Sequence, residues 1–188
     1  MNDLVRFLSR VGRLKDLDRA GWARRGIPSP ESVADHSFRS SVLALVLGEE
    51  LGVDRDRLLR IILVHDLAES DPTVGDVTPF DGVAPQDKHH RESAAMERLC
   101  ATFPGGAELL LLWLEYDEGI TPEARIAHQI DAVEMALQAR DYENRHGLDL
   151  SEFRVGARQK VSHPTLLLLL DRLDGPVGPG ENDSPSLV

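Results

Sequence analysis

Apolar residues recur three and four positions apart along almost the whole chain, and leucine outnumbers valine and isoleucine together. That spacing draws an apolar stripe down one side of a helix, whereas a half-buried strand needs strict alternation and favours β-branched side chains. The pattern predicts an all-α fold in which helices bury their stripes against one another. At 188 residues and 20.8 kDa the chain has the length of one domain. A chain of this size buries roughly 70% of its unfolded surface, enough for one sizeable core.

The first helix places Leu4, Phe7, Leu8, Val11 and Leu14 on one stripe and breaks near Gly21, ahead of a loop held open by Pro28 and Pro30. Further helices are expected over Val33–Leu51, Arg57–Ala68 with Asp54 as N-cap, Pro85–Thr102, Ala107–Tyr116, Pro122–Arg145 with Thr121 as N-cap, Ser151–Val161 and Thr165–Leu173. The apolar runs Leu109–Leu114 and Leu166–Leu170 fall far short of the ~20 residues that span a bilayer and read as buried helix segments. Residues 70–84 carry Pro72, Gly75, Pro79 and Gly82, a long loop of the kind that often bears function. Residues 1–174 form the expected helical bundle, and the Gly-, Pro- and Ser-rich stretch 175–188 reads as a flexible tail.

With 32 acidic against 21 basic side chains, the net charge of -11 repels phosphate backbones and anionic lipid. Neither a nucleic-acid polymer nor a membrane is an expected partner, while a small anion remains possible where arginines or a cation reverse the local sign. Cys100 stands alone, so no internal disulfide or cysteine-based zinc site is available. The Met1–Arg6 segment shows no basic stretch leading into an apolar one, and a cytoplasmic setting is expected.

The chemistry centres on His65-Asp66, which closes a helix whose middle, Leu58–Val64, is nearly all apolar. A carboxylate there is costly unless paired or ligated. His36 points where Leu43 and Leu47 point on its own helix, and Asp131 sits between Ala127 and Met135 on a helix apolar around most of its circumference. Each has a bland reading as a hydrogen-bonded core residue. The cheapest common partner for His36, His65, Asp66 and Asp131 is one divalent cation. Two imidazoles and two carboxylates without thiolate suit Mn, Co, Fe, Ni or Mg with positions left for water.

That order of ligands, each element on its own helix, resembles the HD-domain metal-dependent phosphohydrolases. The segments Arg19-Ala20-Gly21-Trp22, Arg25, Pro30–His36, His65–Glu69, Gly75-Asp76, Lys88-His89 and Gln129–Asp131 look like the 5'-deoxynucleotidase branch of that superfamily, over about Leu4 to Leu173. The resemblance implies a helical HD domain and hydrolysis of deoxyribonucleoside 5'-monophosphates to nucleoside and phosphate, commonly by a homodimer. One departure is a connection between Glu69 and Gly75-Asp76 about two residues longer than the branch usually has, which leaves the place of Asp76 open and offers Asp71 as a substitute.

Glu69, four residues after His65, faces the metal if the helix holds, where it would handle the proton of the attacking water. Asp76 is assigned to the sugar hydroxyl or a second cation. Arg19 is expected to clamp phosphate, with Trp22 as the face for sugar or base, and Lys88, Arg39 and His128 are further phosphate candidates. His89 and His90 raise the prospect of a second metal, but adjacent helical residues point about 100° apart, which favours one. Two other functions fit the same pattern: an HD-type nucleoside triphosphate hydrolase, and a non-catalytic helical interaction protein whose buried polar groups satisfy one another.

Overall fold

A computed structural model describes residues 1–78, 81–101 and 103–175. Among these residues run nine α-helices and no β-strand: α1 (Asn2–Val11), α2 (Ala20–Arg24), α3 (Val33–Leu47), α4 (Arg55–Val64), α5 (Pro85–Cys100), α6 (Gly106–Glu118), α7 (Pro122–His146), α8 (Ser151–Lys160) and α9 (Pro164–Asp174). Short 3-10 turns occupy Gly12–Lys15 and Leu67–Ser70. The expected tail lies, beyond Gly175, outside the described residues. No helix among them is long and apolar enough to cross a membrane.

The 25-residue α7 is the axis of the bundle. Ala124, Ile126, Ala127, Ile130, Val133, Ala136, Ala139 and Tyr142 are buried around most of its circumference, and α3, α4, α6, α8 and α9 pack against it. Both expected N-caps are in place. Asp54 accepts the backbone N–H groups of Asp56 and Arg57, each at 3.0 Å, and Thr121 accepts that of Ala124 at 3.2 Å. Ser32 and Asp35 form a reciprocal capping box that starts α3.

Three expectations change in detail. Of the α1 stripe only Phe7 is buried on the helix itself, and Leu4 and Leu8 are exposed, because α1 packs chiefly on the two 3-10 turns and, through Phe7, on Phe103. The run Leu166–Leu170 is not uniformly buried: Leu166 and Leu170 are covered and Leu168 is exposed. At 3.6 residues per turn, five successive positions cannot all face the core. Helix α4 ends at Val64, four residues short of Ala68, and the chain tightens into the 3-10 turn at Leu67–Ser70.

Two backbone bonds join the segment before α2 to the start of α3. The Val33 N–H donates to the Leu17 carbonyl at 2.8 Å and the Arg19 N–H to the Glu31 carbonyl at 3.0 Å. They bring Arg19 alongside the first turn of α3, which carries His36. The Asp54 cap is remote from this region, so Asp54→Ala should lower stability by about 1 kcal/mol in urea unfolding and leave the Arg19 region intact.

Candidate metal centre and active site

His36 on α3, His65 and Asp66 at the end of α4, and Asp131 on α7 converge on one point. The Nε2 atoms of the two histidines lie 3.4 Å apart. His36 Nε2 is 3.1 Å from Asp131 Oδ1 and 3.7 Å from Asp66 Oδ2, and His65 Nε2 is 3.1 Å from Asp66 Oδ2. His36, His65 and Asp131 place donor atoms close enough to share an ion. Asp66 Oδ2 is buried without a hydrogen-bond partner among the described residues. Two imidazole nitrogens, two carboxylates and an unsatisfied buried oxygen fit a divalent cation.

Local structure fixes the ring orientations. Where α4 stops at Val64, the Ile62 carbonyl accepts the His65 backbone N–H at 3.4 Å and also His65 Nδ1–H at 2.6 Å. The Nε2 lone pair is thereby turned inward. The same termination puts Asp66 at φ -101°, ψ 9°, and the Glu69 N–H then bonds the Asp66 carbonyl at 3.1 Å. Glu69 reaches the cavity by the eclipsed i to i+3 geometry of a 3-10 turn, not by a continued helix.

The electrostatics are dominated by crowded carboxylates. Burial pulls the Arg19 pKa down, but Asp66, Asp76, Asp131 and Glu69 outweigh it and raise it, so the guanidinium stays charged. Its Nη1 is 3.5 Å from Asp66 and 3.8 Å from Asp76, and its Nη2 is 4.0 Å from Asp131. Burial alone would raise Asp66 and Asp131; the histidines and Arg19 hold both well below the carboxylate range. Burial and Arg19 lower His36, and its bonds to Asp131 and Glu134 override them, pushing it up to about 10. A bound cation supplies that same positive charge, so metal uptake displaces a proton here. Glu69 is pushed well above its usual value by burial and then by Asp66 and Asp76, and its Oε2 has no hydrogen-bond partner among the described residues.

His65, Asp66 and Asp131 lie in the wall of a cavity of about 720 Å³, which also takes in Arg19, Glu69, Asp76, Lys88 and Tyr116, while His36 is fully buried beside them. Despite the longer connection, Asp76 sits inside, accepting the Ala20 N–H at 2.6 Å. Asp71 turns away, bonding Thr73 and Arg98, and does not replace it. Two expected substrate contacts lie elsewhere. Trp22 has no exposed surface; its indole packs between Tyr142 and Phe153 and its Nε1–H donates to Glu31 at 2.8 Å, so it offers no face to a ligand. His128 is exposed outside the cavity, stacked on Tyr116 with Nε2 bonded to the Tyr116 carbonyl at 2.8 Å. His89 pairs with Asp117 at 2.7 Å, away from the cluster.

The sequence matches the HD domain family over residues 11–167. The chain belongs to the HD-domain family. It is 39% identical over 178 residues to the 5'-deoxynucleotidase HDDC2 of Danio rerio, covering 93% of this chain and 88% of that protein. It is 41% identical over 177 residues to the 5'-deoxynucleotidase HDDC2 of Bos taurus, covering 92% and 84%. A solved structure titled as a predicted metal-dependent phosphohydrolase from Magnetospirillum magnetotacticum aligns with TM-score 0.66 and 26% identity, covering 92% of this chain and 94% of that one.

Sequence reasoning passed over Glu134 in this HD domain. It has no exposed surface, and it bonds His36 Nδ1 while accepting from Arg39 Nε at 2.9 Å. Like the Ile62 carbonyl at His65, it fixes the ring so that Nε2 faces the cluster. Arg39, expected as a phosphate contact, is instead committed to Glu134, Gln138 and Asp141. The signal was present: Glu134 lies one turn after Asp131 and falls on the apolar stripe between Ile130 and Leu137.

Glu31 is pushed up to about 7 by burial and the nearby Glu134, against the bond from Trp22. A raised acid favours the protonated fold, so its contribution is full below the unfolded pKa of about 4.5 and is lost as pH rises through about 7. Glu31→Gln should therefore raise the melting temperature at pH 8 and change it less at pH 4, read by calorimetry. Trp22→Ala should lower stability by about 3–5 kcal/mol in urea unfolding, because the indole is a core residue.

Proposed function

We propose that this HD domain is a metal-dependent 5'-deoxynucleotidase that hydrolyses deoxyribonucleoside 5'-monophosphates to nucleoside and phosphate. The observation that carries this reading is the convergence of His36, His65, Asp66 and Asp131 beside a cavity whose lining takes in the last three of them together with the buried Arg19 and Glu69. About 720 Å³ lies within the range of roughly 300–1,000 Å³ typical of small-molecule sites and exceeds what a phosphate ion needs. The 5'-deoxynucleotidase names of the relatives above supply the substrate class.

His36, His65, Asp66 and Asp131 would hold the cation, with Mn, Co, Fe, Ni or Mg suited to this nitrogen and oxygen set. Such a cation, when bound, polarises a phosphoryl oxygen and lowers the pKa of water. Glu69, buried beside the cluster and lining the same cavity, would as the carboxylate take the proton of the attacking water. Arg19 faces the phosphoryl oxygens and balances the charge that grows on them in the transition state. Asp76 holds Arg19 and the Ala20 N–H in place and presents its carboxylate toward the sugar. Lys88 lines the same cavity and adds positive charge.

The assembly belongs to the same proposal. Phe38, Val42, Leu45 and Val46 form an exposed apolar face on α3, the helix that carries His36, and a second copy covering it would make a homodimer. A single buried thiol, Cys100, suits a cytoplasmic setting.

Purified protein should bind about one divalent cation per chain and release phosphate from deoxyribonucleoside monophosphates, and Asp131→Ala should abolish both. Full activity in a demonstrably metal-free preparation, or release of intact triphosphate from nucleoside triphosphates with no action on monophosphates, rules this reading out. Glu69→Gln should keep metal binding and lower kcat by roughly a hundredfold or more, measured by phosphate release. Arg19→Ala should raise KM and lower kcat/KM together, since its charge acts on ground and transition states.

A further inference from the structure

The cavity does not stop at the cation ligands. From Asp131, Ala132 and Met135 on α7 its lining continues onto α8, where Phe153, Gly156 and Lys160 face it. These positions follow the three- and four-residue spacing of one helix face. Phe153 is only partly buried, and its ring is backed by Trp22, with centroids 4.3 Å apart and planes at 39°. Trp22 is itself held against Tyr142 at 5.3 Å. The fully buried indole thus acts as a rigid support, and the aromatic surface that a ligand can reach belongs to Phe153.

Gly156 adds a second observation. It lies inside α8, where glycine is disfavoured relative to alanine. No neighbour requires its small size, since a Cβ built there would have no atom within 4 Å. The space in front of it is cavity, and any longer side chain at this position would project into that space. Glu152, the acidic group on the same wall, is engaged by Arg25, which leaves an aromatic ring and an open glycine as the main features in reach.

We propose that α8 forms the nucleobase subsite, with Phe153 as the stacking face, Gly156 as the residue that gives the subsite its width and Lys160 at its border. The inference rests on the monophosphatase reading and deepens it by assigning specificity. Such a wall senses the size of the base and not its hydrogen-bonding edge, so purine and pyrimidine deoxyribonucleoside monophosphates are both accepted, and width limits the purines first.

The test compares a purine deoxyribonucleoside monophosphate, a pyrimidine one and 2-deoxyribose 5-phosphate, which has no base, as substrates of the wild-type chain and Gly156→Leu. The variant should lower kcat/KM for the purine nucleotide relative to the baseless sugar phosphate by roughly tenfold or more, with a smaller fall for the pyrimidine. Phe153→Leu, which keeps apolar bulk against Trp22, should raise KM for both nucleotides relative to the sugar phosphate by roughly tenfold. An equal fall on all three substrates, or none, overturns the subsite while leaving the monophosphatase reading standing. A wild-type chain inert toward every monophosphate overturns that reading and the subsite with it.

Discussion

Asp66, Asp76 and Asp131 crowd around Arg19, with Glu69, His36 and His65 beside them, and the mutual repulsion of these carboxylates is the constraint on which the site depends. Arg19 lies within 4.0 Å of three of them, and its position follows from two backbone bonds that tie the segment before α2 to α3. The crowding pushes His36 up to about 10 and Glu69 well above its usual value. A divalent cation satisfies the same demand, which is why a donor set of this kind and a catalytic phosphohydrolase site are physically related.

Helix ends do much of the positioning. At the end of α4 the Ile62 carbonyl accepts from His65 Nδ1–H, which turns Nε2 inward. The 3-10 turn that follows places Glu69 over Asp66. The long α7 supplies the opposite wall and carries Asp131 and Glu134 one turn apart, one toward the cation site and the other behind His36.

Aromatic packing sets the other side of the cavity. The sequence offers Trp22 next to Arg19 as though both faced the ligand, yet on the short α2 they point to opposite surroundings, Arg19 toward the carboxylates and Trp22 into a cluster with Ile27, Ala139, Tyr142 and Leu150. Phe153, more than a hundred positions along the chain, is what lies between that cluster and the cavity.

Periodicity and capping chemistry sufficed for the helices, because the three- and four-residue repeat and residues such as Asp54 and Thr121 act within a few positions of themselves. The candidate ligands stood out for a related reason: a carboxylate or imidazole on an apolar helix face, as at His36, His65-Asp66 and Asp131, violates the local pattern and so calls for a partner. Only the tertiary structure decided what those partners are. That Glu134 and Arg39 stand behind His36, that Trp22 is core and Phe153 is surface, and that Asp76 reaches Arg19 across a lengthened loop all depend on contacts between residues far apart in the chain. Sequence spacing carries the direction of a side chain along its own helix, but not which neighbour that helix will meet.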